Sequence, residues 1–135
     1  MMPIRIPRTI VNQILSHAQS SPESEVCGLI GAAEGEPRRV YPVANAARRP
    51  DALFQMDPKE QVDAMRSIRE AGQSLFAIYH SHPHAPALPS PIDLEEASYP
   101  EVLYLIVSLD TKGVLEMRGF RLREGRVEDV ELEVS

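Results

Sequence analysis

The chain of 135 residues has a single cysteine, Cys27. It can form no internal disulfide, so a reducing cytoplasm is the simplest setting. Long hydrophobic runs are also missing. The longest strongly apolar stretch is VLYLIV at 102–107, far short of the roughly 20 residues of a membrane-spanning helix. The first twenty residues alternate apolar and polar side chains and hold no apolar block of signal-peptide length. Positive charge is scarce, with 14 Lys and Arg against 20 Asp and Glu, a net charge of −6. That balance argues against non-specific binding to nucleic acid or to an anionic membrane. Internal repeats, low-complexity tracts and linkers are absent. The expectation is one cytoplasmic, non-membrane domain over residues 1–135.

What is present fits an ordinary globular protein: 43% hydrophobic and 25% charged residues, in a chain long enough to bury a core without covalent staples. Alternation at Ile4 and Ile6 predicts a short first strand. Ile10, Val11, Ile14, Leu15 and Ala18 then recur at helical spacing over roughly 8–20. VCGLIGA at 26–32 reads as a buried strand, and the EGEP turn at 34–37 leads to an antiparallel partner through RRVYPVAN. After a polar loop at 46–52, Phe54 and Met56 suggest another short strand. Asp57 and Pro58 supply an N-cap and a first-turn proline for a helix that Gly72 ends. LFAIYH at 75–80 is a buried strand. Residues 81–91 form a loop rich in proline, and a short helix follows from Pro91 to about Ser98. VLYLIVSL is a further strand, and two more, near 114–122 and 126–133, are joined by a turn at Arg123–Gly125. The fold class is α/β: one mixed domain with a central sheet and helices packed on it.

Three of the four histidines fall within YHSHPHAPALPSPIDLEE. His80 and His82 are two apart at the end of an apolar strand, where alternation puts both on one face. Prolines stiffen the loop beyond them and lower the entropy lost in holding a site. Asp93 follows at a distance that lets it return as a third ligand. Two histidines and a carboxylate leave a coordination position for water, the layout of a catalytic zinc, which brings the pKa of that water from about 16 to about 7. The competing reading is that Ser90-Pro91-Ile92-Asp93 is a capping box, in which Asp93 serves the helix and needs no metal.

Other side chains carry plainer expectations. Cys27, among apolar neighbours, reads as inert and buried; Glu23 faces solvent; Ser81 shapes a turn between the histidines. His84 is a solvated loop residue and His17 a surface residue. Phe54 and Met56 belong to the core or to a groove wall. The chain lacks H-E-x-x-H, the zinc-deaminase signature and the glycine spacings of phosphate loops.

His80-Ser81-His82-Pro83, then Ser90, then Asp93 resembles the signature of the JAMM/MPN+ metalloproteases. Glu25-Val26-Cys27-Gly28-Leu29-Ile30-Gly31 looks like the glutamate segment of that family. The similarity extends to Met56-Asp57-Pro58 and Tyr104–Ser108, and covers most of residues 1–120. The resemblance implies a cytidine-deaminase-like JAMM fold with a mainly antiparallel central sheet. It implies Zn2+ held by His80, His82 and Asp93, Glu25 as general acid/base, and Ser90 as a donor to the oxyanion or to the zinc water. It implies cleavage of an amide bond after the tail of a ubiquitin-fold protein, of the sulfur-carrier type processed by short prokaryotic members. Related MPN domains that only bind partners lack ligands or the glutamate; all five positions are present here.

Overall fold

The computed structural model describes residues 2–110 and 115–135. The elements are β1 (Ile4–Ile6), α1 (Arg8–Ser20), β2 (Cys27–Ala33), β3 (Glu36–Val43), α2 (Pro58–Glu70), β4 (Ser74–His82), α3 (Pro91–Glu96), β5 (Leu103–Ser108), β6 (Glu116–Arg123), β7 (Arg126–Val130) and β8 (Leu132–Val134). Six strands form one sheet in the order β3-β2-β4-β5-β6-β7, in which only β4 and β5 run parallel. This is the mixed α/β fold that the sequence predicts, with the mainly antiparallel sheet that the resemblance implies. Among the described residues no helix is long and apolar enough to cross a membrane.

Local chemistry sets the boundaries. Asp57 Oδ2 accepts the Glu60 amide at 3.0 Å, with Pro58 in the first turn, and so starts α2. Gly72, just past the Ala71 C-cap, adopts φ +72°, a conformation that costs glycine little. The helices lie on opposite faces of the sheet because strand side chains alternate. Ala77 and Tyr79 meet Ile10, Ile14 and Ala18 of α1, while Ile78 meets Ala64 and Ile68 of α2. His80 and His82 share the parity of Ile78 and continue its face.

Three expectations change. Phe54 and Met56 form no strand: only an isolated bridge joins Asn45 to Met56, because the Asp57 cap begins a helix at the next residue. The expected loop from 81 starts later, since β4 runs on through His82 while it pairs with β5, His82 opposite Ser108. The expected strand at 126–133 divides at Glu131. Its first part borders β6, and its second pairs in parallel with β1, Ile4 opposite Leu132. The strand expected near 114–122 is β6; position 114 lies outside the described residues.

The parallel pair decides where chemistry can gather. Parallel neighbours need a crossover, and here it is the segment between His82 and Leu103, which contains α3. That segment leaves the carboxyl end of β4 and returns to the amino end of β5 along the face of Ile78 and Tyr104, against which Leu94, Ala97 and Tyr99 pack. It carries Asp93 back toward the histidines.

Candidate metal centre

Four side chains from three parts of the chain converge at this end of the sheet. His80 and His82 close β4, Asp93 sits in the first turn of α3, and Glu25 lies just before β2. All four are buried, with 1%, 3%, 8% and 5% of their surface exposed respectively. Their nearest ligand atoms lie within 4.8 Å of one another. His80 Nε2 and His82 Nε2 are 3.1 Å apart, and Asp93 Oδ2 is 3.1 Å from each.

An equilateral triangle of two ring nitrogens and a carboxylate oxygen fits a cation. A tetrahedral shell with bonds of about 2.0 Å has edges of about 3.3 Å, close to those seen. The proton inventory points the same way. His82 Nδ1 lies 2.8 Å from the Pro86 carbonyl oxygen, an acceptor only. The ring must donate there, so in its neutral form it turns a lone pair on Nε2 toward the triangle, and only when protonated does it donate from Nε2 to Asp93. Two buried atoms at the site, Glu25 Oε1 and His80 Nδ1, have no hydrogen-bond partner among the described residues. The phenyl ring of Phe54 stacks on the His80 imidazole, centroids 4.4 Å apart and planes 25° from parallel.

The two readings of Asp93 coexist. Ser90 Oγ accepts the Asp93 amide at 3.1 Å, and Asp93 Oδ2 accepts the Ser90 amide at 2.9 Å, a complete capping box. The oxygen that caps the helix is the one that faces the histidines.

Electrostatics separate the two acids. Burial alone would raise Asp93, but hydrogen bonds from His80 and His82, the charge of His80 and the Ser90 amide overcome it and hold the carboxyl far below its usual range. Burial pushes Glu25 up from 4.5 to about 8, with smaller pushes from Asp93 and Asp51 and an opposing pull from His82. His80 is lowered, chiefly by burial. On His82 burial is outweighed by the Asp93 hydrogen bond, the Pro86 carbonyl and nearby negative charge, which raise it. Two carboxyls a few ångströms apart are thus shifted in opposite directions.

Other residues fall where expected or nearby. Cys27 is fully buried. Glu23 and His84 are exposed at the rim, 3.6 Å apart. Ser81 shapes no turn: it lies within β4, where its Oγ accepts the Val26 amide at 2.9 Å and ties β4 to the start of β2. His17 is half-buried rather than on the surface, with Nδ1 2.7 Å from the Tyr79 hydroxyl, because α1 crosses the sheet above Tyr79. Asn45 carried no signal in the sequence, yet its side chain bonds residues 25, 47, 53 and 55. No periodicity marks such a residue, whose partners are set by tertiary contacts.

A groove of about 420 Å³ opens beside the cluster. Phe54, Met56, Ile92, Tyr99 and Tyr104 are among the residues that line it.

Residues 7–122 match the family model described as prokaryotic homologs of the JAB domain. A desampylase of Haloferax volcanii is 40% identical over 121 residues, covering 84% of this chain and 86% of the relative. A CysO-cysteine peptidase of Mycobacterium tuberculosis is 33% identical over 120 residues, covering 87% and 82%. The solution structure of a Desulfitobacterium hafniense protein superimposes with a TM-score of 0.85 at 31% identity, over 97% of this chain and 92% of that one.

Proposed function

The chain belongs to the prokaryotic JAB-domain family, and on that premise we propose that it is a zinc-dependent peptidase or isopeptidase acting after the C-terminal tail of a ubiquitin-like protein of the sulfur-carrier type. The observation that carries the proposal is the buried triangle of His80, His82 and Asp93 with Glu25 beside it. The similarity to enzymes named as a desampylase and a CysO-cysteine peptidase supports the reaction class and the kind of substrate.

His80, His82 and Asp93 would hold the ion, with Glu25 beside them. Bound there, zinc supplies a water acidified to the neutral range and a Lewis acid for the scissile carbonyl. Glu25 takes the proton from the attacking water and returns it to the leaving amine. Its carboxyl is buried at the site with Oε1 unpartnered among the described residues, within 4.8 Å of the three ligand atoms, which places it to exchange a proton with a water there. Ser90 Oγ accepts the Asp93 amide, which leaves its own hydrogen free to donate to the developing oxyanion. An extended tail lies in the groove past Phe54 and Met56, held by strand-like pairing beside the site.

Two measurements test the proposal. Elemental analysis should find about one zinc per chain, as the three-ligand site requires, and chelation should stop hydrolysis until zinc is restored. Incubation with tail-extended sulfur-carrier proteins, read by mass spectrometry, should show loss of the extension. A metal-free native protein would remove the catalytic reading; inactivity on every carrier would discard the substrate class.

A further inference from the structure

Asn45 stands just past β3, before the loop that leads to Phe54. Its amide makes four hydrogen bonds, the full capacity of the group. Nδ2 donates to the Glu25 carbonyl at 2.9 Å and to the Leu53 carbonyl at 3.0 Å. Oδ1 accepts the Ala47 and Gln55 amides, both at 3.0 Å. The partners leave no choice of orientation, because two are carbonyls and two are N–H groups. Only an amide of this length offers two donors and two acceptors; aspartate would lose both donors, and glutamine would overreach by a methylene.

Those four bonds link the two halves of the site. Glu25 precedes β2 and lies outside its ladder, so no ladder bond holds its own N–H or carbonyl. Its amide instead donates to the Pro50 carbonyl at 2.7 Å, and its carbonyl is held by Asn45. Leu53 and Gln55 flank Phe54, the residue that both stacks on His80 and lines the groove. One side chain therefore grips the backbone beneath Glu25 and both neighbours of Phe54.

We propose that Asn45 is a positioning residue for the reaction, one that fixes Glu25 against the His80–His82–Asp93 triangle and Phe54 against His80 through a single amide. The inference rests on Glu25 as the base. Asn45 touches neither substrate nor metal. Its effect runs through placement, where an error of about 1 Å costs on the order of 100-fold in rate.

The test compares Asn45→Asp and Asn45→Ala with wild type for zinc content, kcat and KM on a tail-extended sulfur-carrier protein, and amide hydrogen exchange. Asn45→Asp keeps the acceptors for Ala47 and Gln55 and loses the donors to Glu25 and Leu53. It should retain zinc and exchange protection at Gln55 and Ala47, while kcat falls about 10–100-fold and KM changes by less than about threefold. Asn45→Ala should lose protection at both amides as well, and raise KM because the groove wall loosens. Ile10→Val or Ile10→Ala, on the opposite face under α1 and matched to these variants in melting temperature, should keep wild-type kcat. Wild-type kcat in Asn45→Asp, loss of its zinc, or an equal fall of kcat in the matched Ile10 variant would overturn the proposal. If the wild-type protein cleaves no carrier, the functional reading falls. The exchange pattern then decides the clamp: protection lost at Gln55 and Ala47 in Asn45→Ala supports it, and protection retained overturns it.

Discussion

Ser90 and Asp93 exchange two hydrogen bonds, and the Asp93 oxygen that accepts one of them is the atom 3.1 Å from both His80 and His82. A helix cap and a candidate ligand are one carboxylate. The cap fixes the rotamer that points Oδ2 at the histidines, so preorganisation of the site follows from the same contacts that start α3.

The two residues of this cap should therefore separate by readout. Asp93→Asn should lose zinc, from about one per chain to near zero. Ser90→Ala should keep zinc, lose about 1 kcal/mol of stability with the cap, and lower kcat about 10²–10³-fold with the oxyanion donor. Metal analysis, thermal melting and kinetics on each variant check this. A Ser90→Ala enzyme with wild-type kcat would leave the serine with the cap alone.

Glu25→Gln should keep the metal and lower kcat about 10²–10⁴-fold. It should also change how the metal-free protein responds to pH. Glu25 is raised from 4.5 to about 8 in the fold, so between those values the folded state binds more protons than the unfolded chain. Its contribution to stability is complete below about 4.5 and is lost as pH rises through about 8. Melting of chelator-treated wild type should fall relative to Glu25→Gln from pH 5 to pH 8. Parallel curves would place the Glu25 carboxyl in a wetter setting than the structure gives it.

Cys27 should be silent in the native protein. Burial pushes its thiol up to about 12, with Glu25 and Glu60 adding to the effect, so almost no thiolate exists at pH 8. An alkylating reagent at that pH should leave the folded chain unmodified and label it fully in denaturant. Labelling of the folded protein at the denatured rate would show that β2 opens.

Gly28 is required by a close approach. A Cβ there would lie 2.5 Å from the hydroxyl oxygen and a ring carbon of Tyr79. Tyr79 is fully buried and bonded to His17. Gly28→Ala should cost about 1–3 kcal/mol through overpacking, and Tyr79→Phe added to it should recover part of the loss. Thermal melting of the single and double variants decides the matter.

Much of this was legible in sequence because it is short-range. The apolar spacing of Ile10, Ile14 and Ala18 gives α1 and its buried face, and Asp57-Pro58 gives the start of α2. The i, i+2 spacing of His80 and His82 puts them on one face of β4 wherever that strand lies. The capping box at Ser90 and Asp93 is equally local. By contrast, Phe54 was legible only as a core or wall residue, and Ser81 and His17 were misread, because each bonds a partner more than fifty residues away.

The amino-acid sequence alone determined which side chains could serve and how they group locally: two histidines on one strand face, and an acid and a serine in one helix turn. Backbone dihedrals impose those periods regardless of the rest of the chain. Only the tertiary structure decided that the groups meet. Parallel pairing of β4 with β5 requires a crossover that starts at the carboxyl end of β4, and its α3 brings Asp93 back beside His80 and His82. Antiparallel pairing of β2 with β4 sets Cys27 opposite His80 and so brings Glu25 to the same end. Strand order and register are cooperative properties of the packed sheet, which is why the Asn45 amide that spans residues 25 to 55 had no local trace.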